Sequence, residues 1–104
     1  MKLTFSPRAT REVNEIYEYI ARESPAGAQH VLNRIYAVAK HVASFPNTGS
    51  KTKLPDVRVF PTSPYPYLVY FKRLSGRREV RILRVRHAAR RRLSFHEDER
   101  AFLR

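Results

Sequence analysis

Residues 6–25 read SPRATREVNEIYEYIARESP, a segment that begins and ends with the same Ser-Pro pair. A serine caps the free amides at the start of a helix, and a proline fits the first helical position, where no amide donor is needed. Between the two pairs, apolar residues recur with helical spacing at Ala9, Val13, Ile16, Tyr17 and Ile20. The segment therefore predicts one amphipathic helix that ends where a second helix begins.

The second helix has its own apolar stripe, formed by Ala28, Val31, Leu32, Ile35, Ala39 and Val42. The turn-forming sequence Phe45-Pro46-Asn47-Thr48-Gly49 follows it and predicts where this helix ends. Two amphipathic helices joined by a tight turn form an αα-hairpin.

Short strands are predicted on both sides of this hairpin. Residues 2–5 alternate, with Leu3 and Phe5 on one side, and residues 57–60, 67–72 and 80–86 are rich in β-branched and aromatic side chains. Residues 74–77 suit a β-hairpin loop, whereas three prolines make residues 61–66 a rigid connection. We predict an α+β fold of order β-α-α-β-β-β, with an N-terminal strand and the helical hairpin packed on one face of a mainly antiparallel sheet.

The last predicted strand, Val80-Arg81-Ile82-Leu83-Arg84-Val85-Arg86, has apolar residues on both faces. Regular alternation places Arg81, Leu83 and Val85 on one face and the other four residues on the opposite face. Apolar residues on both faces favour a central strand. The arginines late on the second face should then mark the side or the end of the sheet that the helices leave open.

Length and composition indicate one domain, which we assign to residues 1–92, with residues 93–104 as a C-terminal tail or short helix. The chain has no cysteine, which excludes a disulfide scaffold and thiol catalysis. It also lacks an apolar run long enough for a membrane span or a signal peptide, so we expect a soluble, cytoplasmic protein with no membrane partner.

Positive charge is concentrated towards the C-terminal half. The chain carries 21 Lys/Arg against 9 Asp/Glu, a net charge of +12, and residues 72–92 hold ten of these cations against Glu79 alone. Such a cluster is either a solvated face that aids solubility or a docking surface for an acidic or phosphate-bearing partner. Arginine dominates the cluster, which suits bidentate contacts to carboxylate or phosphate.

The sequence offers few routes to catalysis. Its four histidines are scattered, three glycines cannot build a phosphate loop, and no nucleophile motif is present, so we expect no metal and no cofactor. Lys51, Lys53, Arg58 and His87 could together steady a phosphodiester, which is the outline of a metal-free ribonuclease. The alternative is that the two lysines are simply solvated.

Several segments, in order and spacing, resemble toxins of the RelE/ParE superfamily. The N-terminal ones are Phe5-Ser6-Pro7-Arg8-Ala9, Ile16-Tyr17-Glu18-Tyr19-Ile20 and Ser24-Pro25-Ala26-Gly27-Ala28, followed by the turn at residues 45–49. The C-terminal ones are residues 56–60, residues 65–70 and Ile82-Leu83-Arg84-Val85-Arg86-His87-Ala88-Ala89-Arg90. The resemblance covers residues 3–91, nearly the whole chain.

The resemblance implies the toxin of a type II toxin–antitoxin pair, silenced by a cognate antitoxin with an acidic C-terminal segment. The RelE branch of this superfamily cleaves messenger RNA in the ribosome, whereas the ParE branch, associated with plasmid stabilization, inhibits DNA gyrase. This chain is closer to the ParE branch, because Phe60, Tyr67 and Ser94 stand where the nuclease branch tends to have a basic residue, an arginine and a tyrosine. A binding toxin is therefore favoured over an enzyme.

The candidate site residues follow from these alternatives. For target contact, to gyrase, we expect Arg81, Arg84, Arg86, His87 and Arg90. For antitoxin contact we expect Arg73, Arg77, Arg78, Tyr67 and Tyr70. A ribosome-dependent endoribonuclease, acting on ribosome-bound messenger RNA, would instead use Arg58, His87, Arg90, Lys51 and Lys53. A third alternative is a basic module that binds RNA or DNA without toxicity.

Overall fold

A computed structural model describes residues 1–90, so the predicted tail at residues 93–104 lies outside the described residues. The strands are β1 (Lys2–Phe5), β2 (Ser50–Lys51), β3 (Val57–Pro61), β4 (Tyr67–Leu74) and β5 (Glu79–His87). The helices are α1 (Pro7–Ala21) and α2 (Pro25–Ser44), and short 3-10 turns occupy Ser75–Arg77 and Ala88–Arg90.

Both helices begin at the Ser-Pro pairs, as predicted. The Ser6 hydroxyl accepts a hydrogen bond from the Ala9 amide at 3.0 Å, and the Ser24 hydroxyl accepts one from the Gly27 amide at 3.0 Å. In each case the proline occupies the first turn, where its missing N–H leaves no donor unpaired.

The five strands form one mixed sheet in the order β1-β5-β4-β3-β2. Strand β1 runs parallel to β5, and the other neighbours are antiparallel. The α+β prediction is confirmed, including the interior position of β5, which lies between β1 and β4. The two-residue strand β2 was not predicted, because Ser50 and Lys51 carry no alternating apolar pattern.

The main core lies between the helices and one face of the sheet, with Ile35, Val38 and Val42 of α2 packed among Val69, Phe71 and Ile82. Alternate residues on β3 and β4 point to the opposite face, where Val57, Val59 and Tyr70 form a second buried cluster. No helix in the described part of the chain is long and apolar enough to span a membrane.

A bulge in β5 overturns the regular alternation expected for this strand. Tyr70 is opposite Arg84 and Phe71 is opposite Ile82, so Leu83 is the extra residue. Leu83 therefore packs with the second cluster, while Val85 returns to the main core instead of sharing a face with it. Strand β1 leaves the sheet at this point: the Ser6 amide donates to the Ile82 carbonyl at 2.8 Å, and the Ser6 hydroxyl donates to the Leu83 carbonyl at 2.9 Å.

Candidate partner-binding surfaces

The two ends of the sheet differ in chemistry. At one end, which we call the hairpin end, the turn between β4 and β5 lies beside the start of β1, because Glu79 is paired with both Lys2 and Leu74. At the other end, which we call the groove end, β5 finishes at His87 opposite Tyr67. Strand β5 therefore runs from one surface to the other, and its sequence alone does not show that its arginines belong to two different surfaces.

The hairpin end is basic and well exposed. Arg77 lies in the 3-10 turn after β4, and Arg78 follows it with a left-handed backbone conformation at φ 50°. Both side chains, and that of Arg73 on β4, are exposed. Three of the residues expected to contact an antitoxin therefore lie together around one turn.

An ion pair between a partly exposed arginine and a buried carboxylate lies beside that turn. The Arg81 guanidinium lies 3.1 Å from the Glu79 carboxylate, and the exposed fractions of the two side chains are 39% and 6%. The Thr4 hydroxyl donates to the same carboxylate at 2.7 Å. The pKa of the Glu79 carboxyl is lowered, first by this Thr4 hydrogen bond and then by Arg81, against the opposing effect of burial.

The groove end contains a cavity of about 530 Å³ between α1 and the end of β5. Tyr19, which is 70% exposed, and the half-buried Tyr67 line it together with Arg86 and His87. The Tyr67 ring meets the His87 ring edge-on at 5.6 Å between centroids. Burial, and secondarily the neighbouring Tyr19 phenol, raise the pKa of Tyr67 above its ordinary value.

The His87 ring is oriented by a hydrogen bond from a nearby backbone amide. Its Nδ1 atom accepts a hydrogen bond from the Ala89 amide at 3.1 Å, which places the proton of the neutral ring on Nε2. The side chain is exposed. His87 can therefore present an N–H donor to a partner at the groove end.

An ion pair that was not predicted joins α1 to β5 in the interior. Both oxygens of the Glu12 carboxylate lie 3.0 Å from Arg84 Nε, and a second guanidinium nitrogen approaches at 2.7 Å. The same carboxylate accepts a hydrogen bond from the Val85 amide at 3.0 Å. Arg84 itself is only 3% exposed. A sequence signal existed, since Glu12 adjoins the apolar stripe of α1 and Arg84 interrupts an apolar strand.

The chain matches known proteins in sequence along most of its length. A family model described as "ParE toxin of type II toxin-antitoxin system, parDE" matches residues 3–92. This chain belongs to the ParE toxin family. The protein Y4kP of Sinorhizobium fredii is 31% identical over 87 residues, covering 84% of this chain and 88% of that protein. Toxin RelE2 of Caulobacter vibrioides is 33% identical over 85 residues, covering 80% and 90%.

Two solved structures share the fold of this ParE-family toxin. A chain of the chromosomal ParDE system from P. aeruginosa superposes with a TM-score of 0.72 at 22% identity, covering 84% of this chain and 95% of that one. The isolated E. coli RelE toxin superposes with a TM-score of 0.64 at 17% identity, covering 95% and 96%. The family match over residues 3–92 identifies the protein as the toxin component of a type II system, and the family implies a cognate antitoxin as partner.

The structure divides the residues that were expected to contact the target. Arg81 belongs to the hairpin end, and Arg86 and His87 belong to the groove end. Arg84 is interior and bound to Glu12, so it is not part of an exposed surface. Arg90 lies in the 3-10 turn that follows β5.

The residues expected to contact the antitoxin are divided in the same way. Arg73, Arg77 and Arg78 share the hairpin end, whereas Tyr67 lines the groove at the other end of the sheet. Tyr70 is 2% exposed and packs in the second buried cluster. The five residues therefore do not form one continuous patch.

The candidate nuclease residues also lie apart. Lys51 is paired with Arg58 across β2 and β3, and both line a cavity of about 520 Å³ at the hairpin end together with Lys53. Arg58 is opposite Phe71 on β4, whereas His87 is opposite Tyr67, four residues further along that strand. Four residues of extended chain span about 13 Å. Among residues 1–90, no group of three or more His, Asp or Glu side chains could hold a metal ion.

Proposed function

We propose that this toxin acts as a ParE-branch inhibitor: it binds DNA gyrase, blocks replication by that contact, and is neutralised by its cognate antitoxin. The match of residues 3–92 to the ParE toxin model supports this choice. The alternative function is a ribosome-dependent messenger RNA endoribonuclease. It is supported by the relative named RelE2 and by the fold shared with E. coli RelE.

The observation that carries the proposal is the chemistry of the sheet between Arg58 and His87. Phe60 and Tyr67 lie in the sheet between these two residues. The Phe60 ring packs against the His41 ring, and the Tyr67 ring packs against the His87 ring. A general acid or base must come within about 3 Å of the atom it serves. Arg58 and His87 are offset by about 13 Å along the strand direction, with these two aromatic rings in the sheet between them, and this arrangement favours a binding toxin over a nuclease.

The two ends of the sheet suit the two expected partners. We assign target contact to the groove end, through Arg86 and His87, because exposed aromatic surface lies beside them there. Arg90 stays a predicted target contact. We assign the acidic segment of the antitoxin to Arg73, Arg77 and Arg78, where opposite charges would speed association. Arg81 belongs to the hairpin end, so the target contact that the sequence predicted for it is not part of this assignment.

Brief expression in a bacterium separates the two activities. We expect an induced DNA-damage response in cells and blocked supercoiling by purified gyrase, with translated messages left intact. The double variant Lys51→Ala/Arg58→Ala removes two candidate nuclease cations and should keep full toxicity, as should the control variant Arg22→Ala. Codon-positioned cuts in translated messages that disappear in the double variant alone would contradict the proposal and establish the endoribonuclease.

A further inference from the structure

A second basic site lies where β1 passes into α1, on the edge of the sheet opposite β2. A cavity of about 620 Å³ opens there, lined by Arg8 and Arg11 of α1, Lys72 of β4 and Arg81 of β5. Lys72 and Arg81 face each other across the two strands in direct register. No carboxylate lines this cavity, which we call the Arg8 cavity.

The charge of the Arg8 cavity is poorly neutralised by the protein. Within residues 1–90, the ion pairs join Arg81 to Glu79 and Arg84 to Glu12. Arg8, Arg11 and Lys72 therefore have no ion-pair partner in the described part of the chain. These three cations lie in one concave site beside the paired Arg81 and repel one another, and an anion with several oxygens would relieve that repulsion.

We propose that the Arg8 cavity binds backbone phosphates of duplex DNA without regard to base sequence. Arginine presents a fork of donors that matches phosphate oxygens, and three of the four cavity cations are arginines. This activity is separate from gyrase contact and is measurable with the toxin alone.

The lining of the cavity favours a duplex over a single strand. Sequence-tolerant binding of single strands relies on exposed aromatic rings that stack on the bases. The one aromatic ring in this lining, Phe5, is half-buried and packs edge-on against Tyr36 at 5.5 Å. A duplex keeps its bases stacked inside and offers its phosphates outward, so it needs no such ring.

The same lining disfavours an acidic peptide. A segment that folds on binding needs apolar anchor sites to offset the entropy it loses. The large apolar side chains that are exposed in the described chain are Met1, Tyr19, Tyr36 and Phe45, and none of them lines the Arg8 cavity. The apolar residues that do line it, Phe5, Leu74 and Leu83, are half-buried, and Pro7 is small. The four cations therefore dominate what the site offers a ligand, as in phosphate-backbone binding.

The experiment measures fluorescence anisotropy of a labelled duplex of about 20 base pairs with the full chain, at salt from about 50 to 200 mM. Neutralising two phosphate contacts in Arg11→Gln/Lys72→Gln should lower the slope of log affinity against log salt by about 2, since each contact contributes about 1. The matched control, Arg22→Gln/Lys40→Gln, removes the same net charge from two exposed positions, the turn after α1 and the surface of α2, and should leave the slope nearly unchanged.

Three results would overturn the proposal: no binding to the duplex at about 50 mM salt, equal slopes for the two variant pairs, or tighter binding of a single strand or polyglutamate than of the duplex. Thermal melts establish that each variant is folded. If Arg11→Gln/Lys72→Gln does not fold, Arg8→Gln probes the same site with one contact removed and should lower the slope by about 1.

Discussion

Arg81 and Arg84 stand three residues apart on β5, and each is paired with a carboxylate, yet they differ in exposure. The Arg81 side chain is 39% exposed and lines the Arg8 cavity. The Arg84 side chain is 4% exposed and is enclosed between β5 and α1. The comparison shows that on this strand burial, rather than residue type, separates an arginine available to partners from one that supports the fold.

The cause of the difference is the point at which β1 ends. Up to Ile82, β5 has β1 as its parallel neighbour. Beyond the bulge at Leu83 that neighbour is gone, and the Glu12 carboxylate of α1 accepts the Val85 amide in its place. A carboxylate in such a position requires a counter-ion, and Arg84 provides it.

The largest expected effect comes from breaking the interior pair. In Glu12→Ala, Arg84 is left as a buried charge without its Glu12 partner and the Val85 amide loses its acceptor, so the free energy of unfolding should fall by about 3 kcal/mol. Arg81→Ala, on the same strand, should cost less, because the Arg81 side chain is 39% exposed and the Glu79 carboxylate keeps its hydrogen bond from Thr4. Urea denaturation of both variants measures the difference.

A double variant sharpens this test. Arg84→Met/Glu12→Ala removes both charges and should be more stable than Glu12→Ala alone, since no uncompensated buried charge remains. Equal losses in Glu12→Ala and Arg81→Ala would show that the two pairs are energetically alike, and the contrast between the two ends of β5 would then have no thermodynamic basis.

Most of the fold was predictable from the sequence because its signals are local. The Ser-Pro pairs determine where both helices start, and the predicted β4 and β5 each lie within the strands observed. The parallel pairing of β1 with β5 joins residues more than seventy positions apart, and no local pattern encodes it. The bulge at Leu83 was likewise hidden, because it depends on where β1 leaves the sheet.

The candidate sites were less predictable for the same reason. The arginine turn at residues 73–78 is contiguous in sequence, so its exposed cluster was anticipated. The Arg8 cavity gathers cations from α1, β4 and β5, which become neighbours only through the sheet order. Tyr70 and Arg84 were expected to contact partners, but both side chains are buried. Tyr70 packs in the second buried cluster and Arg84 pairs with Glu12 of α1, and strand alternation alone reveals neither contact.

A smaller effect is expected at the groove end, in the pKa of Tyr67. Burial is the larger cause of the raised pKa of Tyr67, and the Tyr19 phenol is the smaller one. Tyr19→Phe should therefore lower the pKa of Tyr67 slightly while leaving it above its ordinary value of 10.0. NMR titration of labelled tyrosine measures this change. A return to the ordinary value would mean that the charge of Tyr19, rather than burial, governs this end.

The smallest effect tests the hairpin end by pH. The Thr4 hydroxyl stabilises the Glu79 carboxylate, so the pKa of this carboxyl is lower in the folded than in the unfolded chain. That stabilisation is complete above the ordinary value of 4.5 and is lost as pH falls through the folded pKa. Thr4→Val should therefore be less stable than wild type at neutral pH, and the difference should shrink in acid. Thr4→Ser keeps the hydroxyl and should follow wild type at both pH values in denaturant titrations. A Thr4→Val deficit that persists unchanged in acid would assign the role of Thr4 to packing instead of to the charge of Glu79.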